Sequence, residues 1–348
     1  MVPFSWIAAL VGLYIALIGP VDYFLLRRMN RRFSLTWITF PLMVGVGCLL
    51  AYFLTQYWKG HAVRINQVDV MDIDGETGFL RDTTWAHLFS PTSQKYDLTL
   101  EPTDQILPFE PLGQISSWQG LPGTSFGGMN TTRVSQTSDS YRVVSEMGDD
   151  SRQLFRVAGI PIDIYASRSL SGITWGRVDL PKLEPFTPDA DNQLDGVVRN
   201  PLPVTLRDCK LFYGRWVYPL PTLAAHGEYE IDRFSKIKTI DGMLTKTLVD
   251  QDFKDLSQAW DRKTFDLNRI MEVIMFHKAG GGSRYTQLLH RFQGEIDFTD
   301  HLTQGHALLV GKTEESPINL VEASGVETKT QTYVRIMLPV NPRSRGRE

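Results

Sequence analysis

Ala62-Val63-Arg64-Ile65-Asn66-Gln67-Val68-Asp69-Val70-Met71 alternates apolar and polar side chains, as Val63 and Ile65 and then Val68 and Val70. Alternation with period two is the mark of a β-strand, whose successive side chains point to opposite faces. The turn residues Gly75 to Gly78 follow, and then a second apolar-rich run from Phe79 to Phe89. Pro91 interrupts it, and Lys95–Leu100 alternates again through Tyr96, Leu98 and Leu100. Short runs separated by turn residues predict an antiparallel sheet or sandwich.

The same rhythm continues downstream. Strand-like runs occur at Tyr141–Ser145, Gln153–Tyr165, Val204–Tyr213, Trp216–Leu220, Gly227–Ile231, His306–Val310 and Thr332–Val340. Gly113–Ser140 is rich in Gly, Ser and Thr and reads as a long loop or linker. Pro181–Pro188 marks a candidate boundary. Helical periodicity enters late. Phe253, Leu256 and Trp260 share one face, Leu267–Phe276 is apolar on most sides, and Tyr285, Leu288, Leu289 and Phe292 repeat at helical spacing.

Upstream lie two uncharged stretches, Met1–Val21 and Phe33–Trp58, with Asp22 the first charged side chain. A bilayer core of about 30 Å needs roughly 20 apolar residues, so transmembrane helices are expected at Trp6–Leu26 and Thr36–Trp58. Trp6, Trp37 and Trp58, with Tyr23 and Tyr57, would form interfacial belts. Arg27, Arg28, Arg31 and Arg32 crowd the connector. The positive-inside rule places that connector in the cytoplasm and both termini outside, in a two-pass protein of the bacterial cytoplasmic membrane. Gly19-Pro20 breaks the first helix, and Asp22 would then cap the segment that follows. A proton or ion ligand at Asp22, or a contact from it to another membrane subunit, is the alternative reading. Ala8, Gly12 and Ala16, and Gly47 with Ala51, put small residues on one helix face, for packing within the pair or for a homodimer.

The fold expected is therefore mainly β, antiparallel and sandwich-like, with a small helical insertion behind an N-terminal two-helix transmembrane hairpin. Its parts are the hairpin at 1–59, a β-rich domain at 60–185 containing the loop 113–140, a second β-rich domain at 190–340 with helices at about 250–293, and a tail at 341–348.

Charge divides the chain in the same place. The whole carries 36 Lys+Arg and 39 Asp+Glu, a net of -3. Residues 1–59 hold five bases and Asp22 as their one acid, which leaves the remainder at -7. An acidic body of this kind does not bind nucleic acid by counterion release. A hydrophobic share of 42% excludes a disordered chain. Two cysteines, Cys48 and Cys209, exclude a disulfide scaffold and a four-cysteine zinc site.

Catalytic motifs are weak. Gly280–Gly282 lacks the spacing of a phosphate-binding loop and follows a helix rather than a strand. His277, His290, His301 and His306 fall within thirty residues, and Glu295, Asp297 or Asp300 would complete a metal site, yet no ligand-spacing motif joins them. There is no G-x-S-x-G elbow, and Cys209 lies in a strand with no histidine nearby in sequence. No catalytic, cofactor-binding or metal residue is assigned, and no cofactor is expected.

Leu17-Ile18-Gly19-Pro20-Val21-Asp22-Tyr23-Phe24-Leu25-Leu26-Arg27-Arg28, followed by Leu35-Thr36-Trp37, resembles a segment of uncharacterised bacterial membrane proteins. In these a G-P-x-D-Y-x-L-L-[KR]-R transmembrane hairpin is flanked by extracytoplasmic β domains. The resemblance implies that Gly19, Pro20, Asp22, Tyr23, Arg27, Arg28, Arg31 and Arg32 form a structural or partner-contacting hairpin motif, and it supplies no activity. The function expected is a non-enzymatic, membrane-anchored module whose partners are the lipid bilayer and another envelope protein. An envelope hydrolase working around His277–His306, or a membrane-complex subunit using Asp22, stand as alternatives.

Overall fold

The computed structural model describes residues 4–21, 23–24, 27, 36–59, 62–120, 142–147, 153–231, 237–245, 248–249, 255–256, 264–286, 293–321 and 326–341. It divides into two compact units, Met1–Ala62 and Val63–Glu348.

In the first unit a helix spans Phe4–Ala16, a π-helical turn spans Leu17–Val21 around Pro20, and a second helix spans Thr36–Lys59. A Cβ added at Gly47 would come 2.5 Å from Tyr14 Cε2, so the glycine makes room for the Tyr14 ring. The expected transmembrane hairpin is corrected here. Among the described residues, no helix is long and apolar enough to cross a membrane. The first helix has 13 residues, a rise of roughly 20 Å, and it yields to the π turn where Pro20 removes a backbone donor. The second, of 24 residues, contains Pro41. The two-pass location in a bacterial cytoplasmic membrane, with both termini outside, and the transmembrane description of the chain fall with it. Uncharged length in sequence is not length of uninterrupted apolar helix.

The second unit is built on strands β1 (Arg64–Asp74), β2 (Phe79–Ser90), β3 (Gln94–Pro102), β4 (Glu110–Gly120), β5 (Arg142–Met147), β6 (Gln153–Ile162), β7 (Ala166–Arg177), β8 (Thr187–Pro188), β9 (Leu194–Arg199), β10 (Arg207–Tyr213), β11 (Trp216–Pro219), β12 (Glu228–Ile231), β13 (Lys238–Thr239), β14 (Leu248–Val249), β15 (Asp255–Leu256), β16 (Ala307–Thr313), β17 (Ile318–Val321) and β18 (Glu327–Leu338). Nine of them form one sheet in the order β13-β11-β10-β16-β18-β1-β2-β7-β4. Its pairings are antiparallel except at the centre, where β1 runs parallel to β18 from Arg64 opposite Glu327 to Asp74 opposite Met337. A four-stranded sheet, β17-β3-β6-β5, and a three-stranded one, β12-β9-β8, accompany it. The mainly β expectation agrees with this architecture. Pro181–Pro188 lies within the second unit, and the large sheet takes strands from both sides of it.

Both faces of the central strands are covered. Ile65, Met71 and Ile73 of β1 join Leu80 and Leu88 of β2 and Leu98, Leu100 and Val157 of the smaller sheet in one core. Val70, Tyr333, Phe212 and Leu308 face the other way, into a core with Met271, Val273, Phe276, Phe298 and Leu302 from the helical segments. Phe212 and Phe276 stack with ring centroids 4.2 Å apart. The helix Leu267–Met275 starts on Asp266, whose side chain accepts from the backbone N–H groups of Asn268 and Arg269. Such a cap satisfies donors that the first helical turn leaves free.

Two turns of the sequence reading need revision. Gly113–Gly120 is strand rather than loop, because Trp175 of the neighbouring β7 lies over Gly113: a Cβ there would sit 2.3 Å from Trp175 Cζ2. A small residue under a large ring is a packing requirement, although its composition resembles a linker. Residues 121–141 lie outside the described ones. Leu256 belongs to β15, paired with β14, and not to a helix; Phe253 and Trp260 lie outside the described residues.

Candidate functional site

Polar side chains inside the large sheet form two groups, one on each face. On the helix-covered face, Asp72 of β1 meets Arg335 of β18 through two hydrogen bonds, Nε to Oδ1 at 2.5 Å and Nη2 to Oδ2 at 2.9 Å. Arg335 is 1% exposed, donates from Nη1 to the Ile296 carbonyl, and stacks 3.9 Å above the Phe298 ring. Arg81 of β2 adds a 2.6 Å bond to Asp72 and one of 3.0 Å to the Glu295 carbonyl. The cluster pins the helical segment to the sheet. Its donors are spent on a carboxylate and two backbone carbonyls, which makes it structural.

On the opposite face, Asp69 and Asp82 are both fully buried. Gln67 Nε2 lies 3.0 Å from each Asp69 oxygen and 2.8 Å from the Ile318 carbonyl. Ser316 Oγ lies 2.7 Å from Asp69 Oδ2. Asp82 is poorer in partners: Thr84 Oγ1 lies 2.8 Å from its Oδ2, and its Oδ1 has no hydrogen-bond partner among the described residues. Burial pushes the Asp69 carboxyl up to about 6. Burial, and then repulsion from Asp69, pushes Asp82 well above the usual carboxylate range.

Among the described residues the histidines form no metal-ligand group. His277 is buried, with Nε2 hydrogen-bonded to Thr286 Oγ1 at 2.9 Å. His301 packs against Phe298 at 4.6 Å, and burial lowers its proton affinity. Asp300 is paired with Lys278, and Asp297 accepts from the Lys278 and Thr299 backbone N–H groups. His290 lies outside the described residues. No three His, Cys, Asp or Glu side chains among the described residues come together as a metal would require. Cys209 is buried, its thiol donating to the Leu206 carbonyl at 3.2 Å, and burial raises its proton affinity. In the first unit, Gly19 and Pro20 lie in the π turn, and Tyr23 packs edge-on to Phe24 at 5.6 Å. Arg27 is described; Asp22, Arg28, Arg31 and Arg32 are not.

Open clefts lie elsewhere. One, of about 990 Å³, is lined by Lys210, Lys238, Arg269, Lys312, Asp208, Asp266 and Glu272, among others. Three of its bases are already paired: Lys210 and Arg269 with Glu272, and Lys312 with Asp208. The other, of about 920 Å³, follows the start of β4. Pro108, Phe109, Pro111, Leu112 and Phe155 supply its apolar wall, and Asp104, Glu110, Asp179 and Arg177 its charged groups.

β4 ends the large sheet. It pairs with β7 on one side and, among the described residues, with no strand on the other. Leu112 and Ile115 are 55% and 58% exposed along it. Pro111 and a bulge between Pro111 and Gly113 interrupt its upper end, and a second bulge lies between Trp118 and Gly120. Regular pairing with β7 therefore runs from Gly113 to Trp118. Gln114 fastens this stretch to the smaller sheet, donating to the Leu100 carbonyl at 3.2 Å and to Thr174 Oγ1 at 3.0 Å, and accepting from the Phe155 backbone N–H. The composition of Gly113–Ser140 hid this strand.

No curated protein matches the chain. Solved structures of an M1 zinc metallopeptidase from Deinococcus radiodurans are similar over part of it. One, at 11% identity, covers 44% of this chain and 34% of that one with a TM-score of 0.21. A mutant of the same enzyme with a Tyr-ser-ala substrate, at 10% identity, covers 61% and 53% with a TM-score of 0.21. The chain spans about a third to a half of the length of those structures, and a likeness of that size carries no argument about fold or activity. Residues 186–343 match the family described as a domain of unknown function, DUF8725.

Proposed function

We propose that the chain is a non-catalytic interaction module that holds an extended segment of a partner protein along β4. The observation that carries this reading is the terminal strand of the large sheet, with Leu112 and Ile115 exposed beside a cleft of about 920 Å³. A strand added to a sheet edge gains a row of main-chain hydrogen bonds, while pockets for alternate side chains give selectivity. Gln114 and Thr174 brace the strand from its buried face, so the edge is held in place before a partner arrives. His277 and Cys209 are engaged in packing and hydrogen bonds, which favours binding over chemistry at these two residues.

Selection of linear peptides from a displayed library against the full chain tests the reading. Selected peptides should bind the double variant Leu112→Asp/Ile115→Asp at least about tenfold more weakly, equivalent to ~1.4 kcal/mol. Its melting temperature should stay close to that of the parent, since both side chains are exposed. Backbone N-methylation at alternate peptide positions should also abolish binding. Peptides that bind the double variant as tightly as the parent would refute β4 as the site.

A further inference from the structure

The buried face of the large sheet holds two carboxyl groups with unequal surroundings. Asp69 is met by Gln67, Ser316 and Thr332. Asp82, although fully buried, has the Thr84 hydroxyl on Oδ2 and nothing on Oδ1 among the described residues. Thr84 stands directly opposite Asp69 across the β1–β2 pairing. A hydroxyl has one proton to give and lone pairs to accept with. Its bond to Asp82 can therefore run either way, as donor to an ionised carboxylate or as acceptor from a neutral acid.

We propose that Asp82 is a neutral acid, with its Oδ2 proton donated to Thr84 Oγ1, on the same buried face as an ionised Asp69. No covalent bond forms or breaks; the donor direction between Asp82 and Thr84 is simply set by the extra proton. The assignment resolves the imbalance in partners. A buried ionised carboxylate without donors on one oxygen is far more costly than a neutral carbonyl oxygen in the same place.

The neighbours of the pair leave the proton as its counter-charge. On the same face, β7 presents Thr174 opposite Asp82, β18 presents Thr332, and β4 presents Gln114, all neutral. Ser316, just before β17, is neutral as well. The charges acting on Asp82 are Asp69 and Asp72, both negative. Arg335 and Arg81 lie on the other face and are bound to Asp72.

This arrangement makes the join between the two sheets acid-stabilised, because Asp69, Gln67 and Ser316 hold the start of β17 against β1. Both carboxyls bind a proton more tightly folded than unfolded. Their contribution to stability is therefore complete below the unfolded value of 3.8 and is lost as pH rises through the folded values. For Asp69 that window closes at about 6; for Asp82 it extends well above the unfolded value.

Two measurements on the full chain test the proposal. The melting temperature should rise as pH is lowered from about 8 to about 5, and Asp82→Asn, which mimics the neutral acid, should flatten most of that rise. Difference infrared spectroscopy at neutral pH should find a protonated carboxyl C=O band that Asp82→Asn removes. Parallel melting curves for the two proteins across that range would overturn the proposal. So would the absence of the band from the parent protein, which decides the matter even if the variant fails to fold. Stoichiometric metal retained by the purified chain and lost in Asp82→Asn would overturn it too, since the counter-charge would then be a metal ion.

Discussion

Asp72 and Arg335 are 263 positions apart in sequence and form a two-point ion pair at the centre of the large sheet. They sit on β1 and β18 in direct parallel register. The pair joins three elements, since Arg335 also reaches the Ile296 carbonyl and the Phe298 ring.

Removing the guanidinium should therefore be costly. Arg335→Met leaves Asp72 buried with Arg81 as its remaining cation, and a broken buried pair loses about 3–5 kcal/mol. Because Arg81 persists at 2.6 Å, the lower end of that range is expected. Urea denaturation checks it, and Asp72→Asn combined with Arg335→Met should recover part of the loss.

Gly113 is the second sensitive position. A methyl group there meets the Trp175 ring at 2.3 Å, so Gly113→Ala must displace Trp175 or separate β4 from β7. Overpacking of this kind costs roughly 1–3 kcal/mol. A lower melting temperature with faster amide exchange along Leu112–Ser117 is the expected readout.

The two cysteines should differ in reactivity. Cys48 is exposed, whereas Cys209 is buried, hydrogen-bonded and raised in proton affinity. The thiolate is the reactive form. Ellman titration should therefore count one thiol in the native chain and two in denaturant; rapid reaction of both in the native chain would contradict the burial of Cys209.

Asp266→Ala removes the cap of the helix Leu267–Met275. A loss of about 1 kcal/mol is expected, measured by chemical denaturation. Asp266→Asn, which can still accept the same backbone N–H bonds, should retain most of the stability.

Much of the sheet was legible because strands announce themselves locally. The alternation around Ile65 and Val70 and the run Phe79–Phe89 correspond to β1 and β2. That alternation changes phase between Ile65 and Val68, and the reason is visible in the fold: both faces of β1 are buried, and Gln67 and Asp69 occupy core-facing positions. Polar residues in apolar slots were thus the trace of the Asp69–Asp82 group. Its partners at Thr84, Ser316 and Thr332 could not be inferred, because sequence spacing carries no information about which distant strands become neighbours. Pro20 was legible as a helix breaker, but the uncharged stretch around it overstated the length of apolar helix. The Gly-rich start of β4 misled for the reverse reason, since a glycine chosen to fit under a tryptophan has the same composition as one in a linker.

The parallel pairing of β1 with β18 has a consequence for biosynthesis. At roughly 5–20 residues per second, translation leaves β1 without that neighbour for roughly ten seconds to a minute after it emerges. During that interval β2 can zip onto one side of β1, while the side reserved for β18 stays open to any passing chain. The nascent protein is then a half-built sheet with its central seam unfilled. It is in this waiting period, before the last strand is inserted, that an assisting chaperone would matter most.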